Sequence, residues 1–463
     1  MKKIYSLLIV LVSLGFVACD DKLDLSPENE IGVDAAFSSV ADLEAGKIGL
    51  YGNFSAYSMI EINSIASDDL RLIPSNTGQG VAVHNWTYTA SDGDMVGIWN
   101  GNYKNIDLAN RILEAATSFG EGEDATEAKL INETKGHCLF VRAHSHFEIL
   151  RAYCENYSAD GVGIPYMKEY SVSAKPARLS QLEVYTNIKE DITEAIKYLP
   201  SADFDRGFAN VHAANALRAR VALYEKDYAN AITFANKVIT ESNVRLAERN
   251  EIGDLWLDDI TDAGIEILFE LKKVSGDTRL GGIFLRTGNE DIFFQPSVDL
   301  ESKYSATDIR TDVYFAAQGA DRVVKKHLGK PDAKNLVHFK LYRLSEMYFI
   351  LAEAYAQTDK LTDAANAIFE IVKRRDTAVT VAPVYGNKTI ALDNVLLEKR
   401  KEMAYEGHRF IDLKRFGKGI VRTGLDAELA SGKSLAANNY KFVLPIPQAE
   451  MFANDNMVQN TGY

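Results

Sequence analysis

A chain of 463 residues, 46% of them hydrophobic, is long enough for two or three cores' worth of packing. Its formal charge of −14 becomes more negative, −16, once Lys2 and Lys3 leave with the N-terminal leader read below. An acidic balance of this size excludes nucleic acid and anionic lipid surfaces as partners, because both require a basic face.

At the start, Lys2 and Lys3 precede an apolar run from Ile4 to Val17 that is too short to span a bilayer but fits the h-region of an export signal. Phe16-Val17-Ala18-Cys19 is similar to a bacterial lipobox, with Phe16 in place of the usual Leu, which makes Cys19 the acylated N-terminus of the mature chain. The stretch Asp20 to Val33 is polar, carries Pro27 and has no period, so it reads as a tether. Asp34 to Tyr57 opens with a helix using Ala36, Phe37, Leu43, Ile48 and Tyr51. An irregular stretch, Ser67 to Gly97, follows; it holds Trp86 and Tyr88 among Asp69, Arg71, Asn76 and Gln79. Asp92-Gly93-Asp94 is too short for a calcium loop.

A second helix starts near Ile98 with Trp99, Tyr103, Ile106, Ala109, Leu113 and Ala116; Asn110 on its apolar face reads as a satisfied core amide. The longest helix, about Glu127 to Glu155, carries two apolar stripes and is expected to be buried between neighbours. Cys138 and Cys154 are about 24 Å apart along it, cannot bridge each other, and read as buried thiols. His137 and His144 are too far apart to share a metal, His144 with Glu148 is only a lone pair, and no metal site is assigned. Ser180-Gln-Leu-Glu183 is a capping box that opens a helix ending at Pro200.

Ala219 stands twelve residues before Ala231, and Ala352 twelve before Ala364. Small residues at these points let paired helices approach closely, as in tetratricopeptide repeats, yet the two pairs are far apart in the chain. Between them, Glu248 to His338 changes character. Ile267, Phe269 and Leu271 alternate as in a strand, glycines break up the rest, and aromatic and charged residues mix around Trp256, Tyr304, Arg310 and Tyr314.

Leu396 to Gly417 reads L-L-E-K-R-K-E-M-A-Y-E-G-H-R-F-I-D-L-K-R-F-G. Opposite charges stand three apart at Glu398/Lys401, Glu406/Arg409, Arg409/Asp412 and Asp412/Arg415, a spacing that lets side chains meet on a helix. As an acid/base site the cluster would need carboxylates in unequal environments, which nothing in the pattern provides; as a network it ties the C-terminal region to its neighbours. The stretch resembles the signature of the SusD/RagB family of outer-membrane nutrient-binding lipoproteins. Arg400, Glu406, Arg409 and Asp412 stand at its structural positions. The order of Trp99, Tyr103, Ile106 and Asn110 is similar to the same family's N-terminal half, and the ending from P-I-P-Q to G-Y resembles its C-terminus, where prolines and glycine favour a packed extended tail.

The resemblance implies a mostly α fold: a SusD-like helical scaffold with discontinuous tetratricopeptide-like helix pairs and a loop-rich insertion with a few short strands. The expected division is a leader at 1–18, acylated Cys19 with its tether at 19–33, an N-terminal helical region at 34–247, the insertion at 248–338 and the C-terminal region at 339–463. It implies a surface-facing, lipid-anchored outer-membrane subunit that binds an oligosaccharide and hands it to a SusC-like TonB-dependent transporter, with no cofactor and no chemical step. A peptide ligand, a surface glycosidase and a helical-repeat scaffold are the alternatives. G-x-S-x-G, H-E-x-x-H and zinc spacings are absent, and Gly432-Lys433-Ser434 lacks the earlier glycine of a phosphate loop. Loops on a rigid scaffold carry function. The ligand is therefore expected on Trp86 and Tyr88, joined by Trp256 or Tyr314, with Asp69, Arg71 and Asn76 bonding its hydroxyls.

Overall fold

The computed structural model describes residues 36–463, apart from 203–204, 261–263, 287 and 289. The leader, Cys19 and the tether lie outside the described residues. Of the helices, those that build the scaffold are α1 (Asp42–Asn53), α2 (Tyr57–Ile65), α3 (Gly97–Ser118), α4 (Ala125–Tyr153), α5 (Gln181–Tyr198), α6 (Val211–Tyr224), α7 (Tyr228–Glu241), α8 (Leu344–Gln357), α9 (Leu361–Val372), α10 (Lys388–Glu402), α11 (Arg409–Phe416) and α12 (Gln448–Ala453). Their boundaries follow local chemistry. Asp124 caps α4 by accepting from the amides of Thr126 and Glu127 at 2.7 and 3.0 Å, and the Ser180/Glu183 capping box is complete at the start of α5.

Helix α4 runs through the middle of the molecule, and from Gly136 to Tyr153 every residue is buried. It packs against α3 on one side and α5 on the other. Cys138 and Cys154 are both buried free thiols. Ala219, Ala231, Ala352 and Ala364 are fully buried, which lets α6 close on α7 and α8 on α9. Helix α7 packs directly on α8, so the two helix pairs form one stack although the insertion separates them in sequence.

Among the described residues, eight short strands make four two-stranded antiparallel ladders. β1 (Leu70–Leu72) pairs with β3 (Phe294–Pro296), β2 (Ile267–Leu271) with β6 (Phe339–Arg343), β4 (Phe315–Gln318) with β5 (Asp321–Val324), and β7 (Ile420–Val421) with β8 (Ser434–Leu435). The β1–β3 ladder joins the irregular stretch after α2 to the insertion.

Two expectations are corrected. Ile48 is 55% exposed, because α1 turns only its Leu43, Leu50 and Tyr51 face to the core. The C-terminal tail is extended and buried at Val443–Pro447 but then forms α12, whose Pro447 precedes the helix and so leaves its hydrogen bonds intact.

Candidate functional site

Trp99, Tyr103, Ile106, Asp107 and Asn110 recur along one face of α3 and form one wall of a cleft of about 220 Å³. The opposite wall is the connection after α4, from Pro165 to Pro176, and Glu450 of α12 closes one end. Trp99 is 3% exposed; it stands edge-on to Tyr153 and tilts onto Tyr103 at 4.8 Å between ring centroids. Tyr103 is half-buried, and its hydroxyl donates to the Pro165 carbonyl at 2.9 Å. Asn110 donates to the Met167 carbonyl at 3.1 Å and accepts from Arg142 at 2.9 Å, so it ties the two walls together.

The connection is held from below. Arg142 grips Asp191 through two bonds of 2.7 and 2.6 Å and donates to the Lys168 carbonyl at 3.0 Å. His146 stacks on Tyr166 at 3.8 Å. Its Nδ1 lies 2.9 Å from the Arg142 carbonyl, and its Nε2 accepts from the Met167 amide at 3.0 Å, which fixes the neutral tautomer with the proton on Nδ1. Burial pushes this imidazole down to about 3, the expected direction for a cation denied water.

The rim is polar. Asp107, Glu169, Tyr170, Ser171 and Glu450 surround the opening. Arg111 donates to Asp107 at 2.8 Å and covers one side of the Tyr170 ring at 4.3 Å. The arrangement offers half-buried tyrosine rings for apolar C–H faces and carboxylate oxygens for hydroxyl donors. Its walls are set in place before any ligand arrives, which lowers the ordering cost of binding.

The aromatic residues expected to meet a ligand are instead in the core, a correction with a specific cause in each case. Trp86 is 6% exposed: its indole N–H donates to the Ala66 carbonyl at 2.8 Å, and the Arg422 guanidinium lies 4.2 Å from its ring. Tyr88 is fully buried, with its hydroxyl on the Lys441 carbonyl, Lys441 itself over the ring and Tyr463 stacked beside it. Trp256 and Tyr314 pack edge-on against each other at 6.1 Å, and the Lys326 ammonium sits 4.3 and 3.9 Å from the two rings. Neither ring is free to stack on a sugar. The polar partners are committed as well: Asp69 to Arg400 at 2.8 Å, Arg71 to Gln295, and Asn76 to the Gln79 and Phe293 carbonyls at 3.1 and 2.9 Å.

The charged stretch near the C-terminus forms a buried network. Glu402, with no exposed side-chain surface, is surrounded by Arg310, Arg343 and Arg375 at 3.3, 3.5 and 3.1 Å. Against the pull of burial, these three guanidinium groups hold its carboxyl well below the usual range. Glu406 accepts from Lys326 at 2.6 Å and from Arg343 at 2.8 Å. Arg400 reaches Asp68, Asp69 and Asp299, Arg409 takes Asp68 at 2.7 Å, and Asp412 takes Lys399 at 2.7 Å and Arg415 at 3.1 Å.

Two of the four expected local pairs form, Glu398–Lys401 at 3.0 Å and Asp412–Arg415. Glu406 and Arg409 instead choose distant partners, because α10 ends at Glu402 and α11 begins at Arg409, with Tyr405 and Gly407 at φ of 64° and 84° in the turn between them, so the three-residue spacing no longer sets a common face. Every one of these carboxylates is matched by a cation inside the fold, as a structural clamp requires.

A helical scaffold made of two tetratricopeptide-like pairs, split by a loop-rich insertion and clamped by a buried ion network, defines the SusD-like class. The SusD family's profile matches residues 305–463, and one described as starch-binding and associating with the outer membrane matches 21–223, so the chain is SusD-like over most of its length. It is 24% identical to a SusD-like protein of Bacteroides ovatus over 88% of this chain and 81% of that protein. Among solved structures, it is similar to a putative sugar binding protein of Bacteroides vulgatus (28% identity, TM-score 0.80, 92% of this chain and 98% of that one). It is also similar to a SusD superfamily protein of Bacteroides thetaiotaomicron (25% identity, TM-score 0.78, 91% and 99%). No helix among the described residues is long and apolar enough to cross a membrane.

Proposed function

We propose that the chain is an outer-membrane lipoprotein, anchored through Cys19, that binds a nutrient oligosaccharide in the cleft over α3 and passes it to a SusC-like TonB-dependent transporter. The observation that carries this reading is the location of the cleft. All of its lining residues except Glu450 fall within 21–223, the segment similar to starch-binding, outer-membrane-associated proteins. Tyrosine faces beside acceptor oxygens suit a neutral sugar, which presents C–H faces and donates from its hydroxyls. Asp107, Glu169 and Glu450 disfavour sulfated or uronic glycans, whose charge they would repel. Binding and transfer involve no bond breaking, so the reading is non-enzymatic.

Calorimetry of the mature protein against neutral and sulfated glycans, with Tyr170→Ala and Glu450→Gln beside the parent, tests the site. Both side chains stand on the rim, and each variant should keep its melting temperature while losing about tenfold or more in affinity, the equivalent of 1.4 kcal/mol. A glycan bound equally well by both variants would place the ligand elsewhere. Co-purification from membranes tests the transporter separately.

A further inference from the structure

Where α11 meets the C-terminal end of α4, five basic side chains are buried with four carboxylates. Arg151 pairs with Glu148 at 2.6 Å, Arg220 with Glu346 at 2.5 Å, Lys399 with Asp412 at 2.7 Å, and Arg415 with Glu353. Lys414 is the fifth cation. Its ammonium donates to the carbonyls of Arg151 and Cys154, at 2.7 Å each, and meets no carboxylate within salt-bridge distance among the described residues. One of its three N–H groups remains uncommitted.

Other unpaired donors belong to neighbouring side chains. Arg151 Nε and Nη1, Arg415 Nε and the Tyr224 hydroxyl are buried without an acceptor among the described residues. Arg151, Tyr224, Lys414 and Arg415 all line one cavity of about 20 Å³, with Glu155 and Lys226 also on its wall. Burying a cation beside unsatisfied donors costs several kcal/mol unless a negative charge stands against it. Burial also depresses the Lys414 ammonium to about 8, the direction expected of a charge the protein itself leaves poorly compensated. A space of this size suits one small, compact guest.

We infer that the cavity bounded by Arg151, Tyr224, Lys414 and Arg415 is a binding site for a single monatomic anion, chloride in ordinary surroundings. The ion would supply the missing negative charge and hold α11 against the end of α4. It would therefore act on stability and leave the α3 cleft unchanged.

Crystals of the mature protein grown in sodium bromide, measured at the bromine absorption edge, should show an anomalous peak in this cavity. In parallel, the melting temperature should rise with chloride and saturate, while gluconate at equal ionic strength should not reproduce the rise. Tyr224→Phe keeps the ring and removes one donor; it should move the chloride midpoint upward about tenfold, the loss of one hydrogen bond to a charged group. Lys414→Met should abolish the peak and the halide response; if it does not fold, Tyr224→Phe and the bromide peak in the parent decide. Density for an ordered water only, or a bromide peak with no halide effect on melting, an adventitious ion only, would overturn the proposal. So would a halide-independent parent that Glu155→Gln destabilises, since Glu155 would then be the counter-charge.

Discussion

Glu406→Ala removes the carboxylate shared by Lys326 and Arg343 and leaves both cations in place. The Lys326 side chain has no exposed surface, and Glu406 has 4%. Arg343 keeps Glu266 and Glu402 at 3.4 and 3.5 Å, but Lys326 keeps only the carbonyls of Glu402 and Ala404 and the rings of Trp256 and Tyr314. Breaking a fully buried pair from one side costs about 3 to 5 kcal/mol. With an unfolding entropy scaling with chain length, that corresponds to a fall of roughly 3 to 6 °C in Tm.

The deficit should also depend on pH with a definite sign. Burial lowers Lys326 to about 8 in the folded protein, with Glu406 opposing the shift, against an ordinary value of 10.5. Between these values the unfolded chain binds the proton more tightly, so stability rises with pH. Without Glu406 the folded value drops further, and Lys326 sheds its proton at lower pH. The difference between variant and parent should therefore narrow as pH rises toward about 8 and stay constant above it. Scanning calorimetry from pH 7 to pH 9.5 measures both effects, and calorimetric titration of the folded variants measures ligand affinity. Unchanged melting with lost binding would refute the structural reading of Glu406 and make it a ligand group.

Trp86→Ala and Tyr88→Ala should each cost about 3 to 5 kcal/mol as core truncations, and the protein that remains folded should bind glycan like the parent; selective loss of binding with normal melting would return the site to those rings. Cys19→Ser should give a folded protein that leaves the membrane fraction in cells lacking the transporter, because acyl chains contribute about 0.8 kcal/mol per buried CH₂ and the helical body cannot replace them. His137, His144 and His146 are held down by burial to about 3, 4 and 3 against 6.5. They contribute stability above pH 6.5 that is lost as pH falls toward 4. His137→Gln with His146→Gln should flatten that part of the melting curve against pH, and an unchanged slope would contradict the burial assignment.

Helix existence and helix ends were legible from the amino-acid sequence because their causes are local. Ser180 caps the amide three residues ahead, and the paired alanines mark close helix contacts within a single hairpin. The signature stretch also identified the family and the presence of an ion network. Which charges meet was not legible, since Gly407 turns Glu406 toward Lys326 and Arg343 while Arg409 turns toward Asp68. The same limit governs the aromatic residues. Trp86 lies in a long polar loop by sequence, yet Arg422 and Gly432, far along the chain, cover it in the fold. The α3 cleft combines one helix face that sequence periodicity outlines with Tyr170 and Glu450, which no local pattern connects to it. Sequence spacing determines what a residue can do within a turn or two of helix; burial, charge partnership and a cleft's far wall depend on segments brought together only when the chain packs.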